Sequence, residues 1–154
     1  ADDGRPLRIG FTLANEFADH VLERRNYLLL AHSKLRPCAL GPELRLGALP
    51  ASVEGTTRVL RGQNTLWQGP FLSGEDHMSH SVANLEHHHF KYQLCRRPGD
   101  IHIHFLGAGG ISFADAVKAE EGDIFEIDVP DFGRALRNPL ATLSGNALVS
   151  VTGL

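Results

Sequence analysis

The chain has 154 residues, 42% apolar and 21% charged, and carries a net charge of −3 from 15 basic and 18 acidic side chains. These values suit one globular domain, residues 1–154, with a single core, and they exclude a disordered, collagenous or coiled-coil chain. No charge excess marks a nucleic-acid surface, and the longest apolar run, Tyr27 to Ala31, is far short of the ~18 residues of a membrane span. Cys38 and Cys95 form no disulfide framework; both are expected reduced, in or near the core, in a cytoplasmic protein.

In chain order, Asp3-Gly4 reads as a turn with no strand before it, so the chain is expected to be the C-terminal part of a longer protein. Residues 7–13 alternate apolar and polar side chains as a half-buried strand does. Asn15 is a good N-cap, and acids follow it, so a short helix is expected over about 15–25. Leu28 to Ala31 is expected to be buried. Pro37, Gly41-Pro42, Gly47 and Pro50 punctuate 36–50 into loops with short extended pieces. Thr56–Leu60 and Asn64–Gln68 flank Arg61-Gly62-Gln63 as a hairpin.

Ser79–Cys95 reads as a helix, with Met78, Val82, Leu85, His89 and Tyr92 on one face and Pro98-Gly99 beyond its end. Asp100–Leu106 reads as a strand, Gly107–Gly110 as a flexible loop, Asp123–Val129 as a strand, Pro130–Gly133 as a turn, and Leu136 as the start of a last extended segment. The pattern is strand-rich with few helices and lacks regular βαβ alternation.

Nine histidines are the unusual feature of the composition. His87-His88-His89 cannot converge on one ion, because consecutive helical residues point about 100° apart. His89 falls on the apolar face and is expected to be a hydrogen-bonded core group. His102 and His104, at i and i+2 of a strand, share one face and form a candidate soft-metal pair, although no acid follows at the spacing a cupin site needs. Glu16, Asp19 and Glu23 at i, i+3 and i+7 would share one helix face, where a hard cation would relieve their repulsion. The glycine run lacks both the phosphate-loop and the dinucleotide patterns, and there is no nucleophile elbow.

Taken in order, Ile9-Gly10-Phe11-Thr12-Leu13-Ala14-Asn15-Glu16, Ala31-His32-Ser33, Leu40-Gly41-Pro42-Glu43, Met78–Leu85, Arg97-Pro98-Gly99-Asp100-Ile101, Glu121–Ile127 and Leu136-Arg137-Asn138-Pro139 resemble the C-terminal half to two-thirds of the fumarylacetoacetate hydrolase (FAH) family. Leu30–Cys38 and Asn84–Tyr92 further resemble its GguC-like branch, found with sugar-acid genes. The resemblance implies a mixed fold, mainly β with short helices, a β-sandwich roll expected to be incomplete at its N-terminus. It also implies a homodimer, a Mg²⁺, Mn²⁺ or Ca²⁺ ion, and a 2-oxo or diketo acid substrate. The reactions of the family are C–C hydrolysis, decarboxylation, dehydration and tautomerisation, in which the cation stabilises an enolate.

Carried over by position, Glu16 stands at a metal ligand. His20 and Glu23 stand where the family has Arg and Gln. His32 stands where a Lys lies near the metal, with Lys34 as its substitute, and Gly107-Ala108 stands at the loop that holds the substrate carboxylate. The family's upstream Glu-x-Glu ligand pair has no counterpart before Glu16. Two readings therefore stand beside the enzyme: a non-catalytic sugar-acid binder of the same fold, and a metal protein built on His102 and His104.

Overall fold

The computed structural model describes residues 1–107, 112–142 and 150–153. Its centre is the expected hairpin, longer than the propensity runs indicate. Strand β5 covers Val53–Arg61 and β6 covers Asn64–Ser73. Gly62, at φ +59°, opens the two-residue turn between Arg61 and Asn64, a conformation that favours glycine. After four short strands have formed upstream (β1 Gly10–Phe11, β2 Ala14–Asn15, β3 Ala39–Leu40, β4 Arg45–Leu46), β7 (Ile124–Asp128) and β8 (Leu136–Pro139) complete an antiparallel sheet in the order β6-β5-β7-β8. β1 pairs with β4 and β2 with β3, as two small ladders.

The sheet has one apolar and one charged face, as the period of two requires. Val53, Phe71, Ile127 and Leu136 point inward and pack with Leu13, Val129 and Phe132. On the other face Arg58 donates to Gln68 across β6 at 3.1 Å and to Glu126 across β7 at 2.7 Å, and Arg137 of β8 reaches Glu126 at 2.8 Å. Gly55 is required in this frame: a Cβ there would collide with the Asp128 carbonyl of the neighbouring strand.

The helices are shorter than the sequence indicates. The helix expected over 15–25 is only α1, His20–Glu23, capped by Asp19 and not by Asn15, which belongs to β2. Glu16, Asp19 and Glu23 therefore do not line one helix face. α2 covers Leu30–Ser33, and α3 covers Val82–Phe90 with Ser81 as its cap. The 7–13 strand keeps ladder pairing only at Gly10–Phe11.

Three further expectations are corrected. Leu28 is 84% exposed, because the 3₁₀ turn at Tyr27–Leu29 faces outward. Cys38 is exposed and Cys95 half-buried, both as free thiols. Residues 101–107 run without helix or strand pairing, since no neighbouring strand among the described residues meets their backbone. Most of the glycine run, residues 108–110, lies outside the described residues.

Asp123, buried beside β7, accepts two hydrogen bonds from Arg61 at 2.8 and 2.9 Å and one from the Glu120 amide at 2.8 Å. The Arg61 guanidinium first, and then that amide, hold its carboxyl down from 3.8 to about 2. A lowered carboxylate gives stability that is present above the unfolded value and lost as pH falls toward the folded one. Urea midpoints of the wild type should therefore fall between pH 4 and pH 2, whereas Asp123→Asn should be less stable at pH 7 and should lose less over that acid range.

Candidate active site

Asp19 organises the region. Its side chain caps α1 by accepting from the Leu22 amide at 3.0 Å, and its own amide donates to the Ser33 carbonyl at the end of α2, also at 3.0 Å. Arg36 donates to its second oxygen at 2.7 Å. The Leu22 amide first, and then Arg36, lower the Asp19 carboxyl below its ordinary value. Ser33 is fully buried, and its hydroxyl donates to the Leu30 carbonyl at 2.7 Å, which closes α2 on itself.

With the two helices tied in this way, side chains distant in sequence meet. Lys34, the C-cap of α2, donates to Glu16 just beyond β2 at 2.7 Å. His20 Nδ1 lies 3.0 Å from Glu23 Oε2, one turn along α1. The His20 ring stacks on Phe113 at 4.5 Å with the planes 15° apart, and the Arg24 guanidinium lies 4.5 Å from the same ring. Asn15 donates to Asn138 of β8 at 3.0 Å, which anchors this corner to the sheet.

A cavity of about 1720 Å³ opens along this corner, and Glu16, His20, Lys34, Phe113 and Gly107 line it. Glu23 is held behind His20 and does not line it. His32 is exposed and does not line it either. The reason is local: Leu30–Ser33 form α2 and Lys34 is its helical C-cap, so His32 and Lys34 point about 200° apart and Lys34 alone meets Glu16. Ala108 lies outside the described residues. Arg36 and Phe113 escaped the sequence reading, because each is far from its partner in sequence and belongs to no motif.

Magnesium takes near-octahedral oxygen coordination. Glu16 is one carboxylate, already joined to an ammonium group, and among the described residues no three His, Cys, Asp or Glu side chains are placed to hold an ion. The described residues do not make a magnesium site by themselves. His102 and His104 do not make a soft-metal site either. His102 Nδ1 and His89 Nε2 share a hydrogen bond at 3.0 Å, which engages one nitrogen of each ring, and among the described residues no group of three His, Cys, Asp or Glu side chains is placed to hold an ion.

No family model matches the chain, and no curated protein does. Solved structures do. A complex of 2-keto-3-deoxy-D-arabinonate dehydratase with magnesium and 2,5-dioxopentanoate superposes with a TM-score of 0.65 at 22% identity, over 90% of this chain and 48% of that one. A hexagonal crystal form of 2-keto-3-deoxyarabinonate dehydratase gives 0.67 at 19% identity, over 94% and 48%, and the apo form gives 0.63 at 22%, over 90% and 48%. The fold is FAH-like. The chain spans about half the length of these structures, and the mainly-β architecture with few short helices is the one the sequence resemblance implies.

The two functions of Asp19 separate by mutation. Asp19→Ala should cost about 1 kcal/mol of unfolding free energy through the lost cap. Asp19→Asn keeps a capping oxygen and should cost no more than about 0.5 kcal/mol through the lost Arg36 pair. Urea unfolding of both variants checks the order, and equal losses would remove the cap from the account.

Proposed function

We propose that this chain carries part of the active site of an FAH-type lyase or hydrolase acting on a 2-oxo acid from sugar-acid catabolism, with dehydration of a 2-keto-3-deoxy sugar acid as the reaction. One observation carries the reading. Glu16, Lys34 and His20, the last held by Glu23 behind it, stand on one cavity of a fold shared with a dehydratase whose structure holds magnesium and a dioxo acid.

Dehydration of such an acid needs a base for a C3 proton, positive charge for the enolate that forms, and a proton for the departing C4 hydroxyl. Glu23 holds the Nδ1 side of His20, which leaves Nε2 as the nitrogen that exchanges a proton with substrate. Phe113 stacks on the ring and limits its rotation. Lys34 supplies fixed positive charge beside Glu16. In this reading Glu16 is one donor to a divalent ion whose other ligands lie outside the described residues, and the 154-residue chain assayed alone is inactive. A homodimer and a cytoplasmic location belong to the same reading. No helix of the described residues is long and apolar enough to cross a membrane.

The incomplete donor set favours one alternative, a sugar-acid binder that keeps the fold without the chemistry. Calorimetric titration of Mg²⁺ with oxalate into this chain, into a version extended upstream and into Glu16→Gln separates the two. The enzyme reading expects binding only in the extended protein, loss of that binding with Glu16→Gln, and turnover of 2-keto-3-deoxy acids reduced at least ~100-fold by His20→Asn. Oxalate binding that is indifferent to Mg²⁺, with no turnover in either protein, would establish the binder.

A further inference from the structure

The second histidine group takes no part in that reading, yet it borders the same cavity through His102 and His104. His89 of α3 reaches His102 by the 3.0 Å ring–ring hydrogen bond, and its ring lies 4.8 Å from both His102 and His104. Phe90 packs edge-on to His102 at 5.3 Å and tilted over His104 at 5.9 Å. These contacts matter because residues 101–107 belong to no strand, and their backbone makes no hydrogen bond to any other described backbone. Ile101 and Ile103, on the alternate positions, are 82% and 53% exposed. The segment is thus held to α3 by its histidines.

We propose that His89, His102 and His104 form a proton-operated latch: uncharged, they hold the cavity wall at 101–107 against α3, and in mild acid they release it. The chemistry is that of an imidazole pair. A ring–ring hydrogen bond needs one unprotonated acceptor nitrogen, so the bond survives one added proton and breaks with two. A second charge within 5 Å also repels the first.

Few other charges intervene. Glu86, one turn back on α3, is chelated by Arg8 at 2.8 and 2.7 Å, and His88 pairs with Lys91 at 3.1 Å. Asp100, which precedes the segment, is exposed. His104 keeps an exposed edge, yet partial desolvation first, and then the charges of His89 and His102, lower it from its ordinary 6.5. The folded state therefore binds fewer protons than the unfolded chain just below that value, and the latch weakens as pH falls through it.

The test is NMR of the intact protein, reading the ring-to-ring NOE between His89 and His102 and the methyl order parameters of Ile101 and Ile103. Between pH 7.5 and pH 5.5 the NOE should vanish and the order parameters should fall. In His89→Gln, whose side chain donates to His102 without charging, the fall should shrink by more than half. An NOE and order parameters constant across this range in the wild type would overturn the latch, as would a fall in His89→Gln equal to that of the wild type. The wild-type titration stands alone if the variant does not fold.

Discussion

Strand β5 is the constraint on which the rest depends. It alone pairs with both the hairpin partner β6 and the late strand β7, so it joins residues 53–73 to residues 124–139. Two interactions hold it in register. Val59, fully buried, sits on the inner face. On the outer face Gln68, Arg58, Glu126 and Arg137 form one row across four strands. A slip of one residue would bury Arg58 and expose Val59 together, and that coupled cost sets the register more firmly than either contact alone.

The site hangs from this sheet by a narrow connection. Leu13 enters the core, Asn15 bonds to Asn138 on β8, and everything from Glu16 to Arg36 is then fixed by its own hydrogen bonds. Asp19 is the central member, since it caps one helix, receives Arg36 and ties its amide to Ser33. The Glu16–Lys34 pair follows from that arrangement and does not create it. Each partner is about a third exposed, and a pair so wetted contributes at most about 1 kcal/mol.

What could be read from the sequence follows from how local each signal is. The hairpin was legible because the turn glycine and the alternation lie within twenty residues. β7 and β8 were legible from their own patterns. The helix at 15–25 was misjudged because Asn15 and Asp19 are both good caps, and the choice between them is made by Ser33, which lies beyond any local window. Glu16 and Lys34 were both named, but their meeting was not, since it depends on helix α2 turning Lys34 toward a residue eighteen positions earlier. His89 was expected to be a hydrogen-bonded core group; it is hydrogen-bonded but only half-buried, and that its partner is His102 required the packing of α3 on a segment without strand pairing.

Exposure sets what the site can do. Among the described residues eight apolar side chains are buried while sixteen large ones are exposed, Ile9, Leu46 and Ile101 among them. The cavity, at about 1720 Å³, exceeds the ~300–1,000 Å³ of a typical small-molecule pocket. In so open a space Lys34 acts through water, where a charge 4 Å away is worth only about 1 kcal/mol. The enolate of the proposed reaction would need several times that, which the same ammonium would supply only with water excluded and the effective dielectric lowered. Excluding water would strengthen the His20–Glu23 and Glu16–Lys34 pairs without moving them, because the hydrogen bonds that fix their positions are already made.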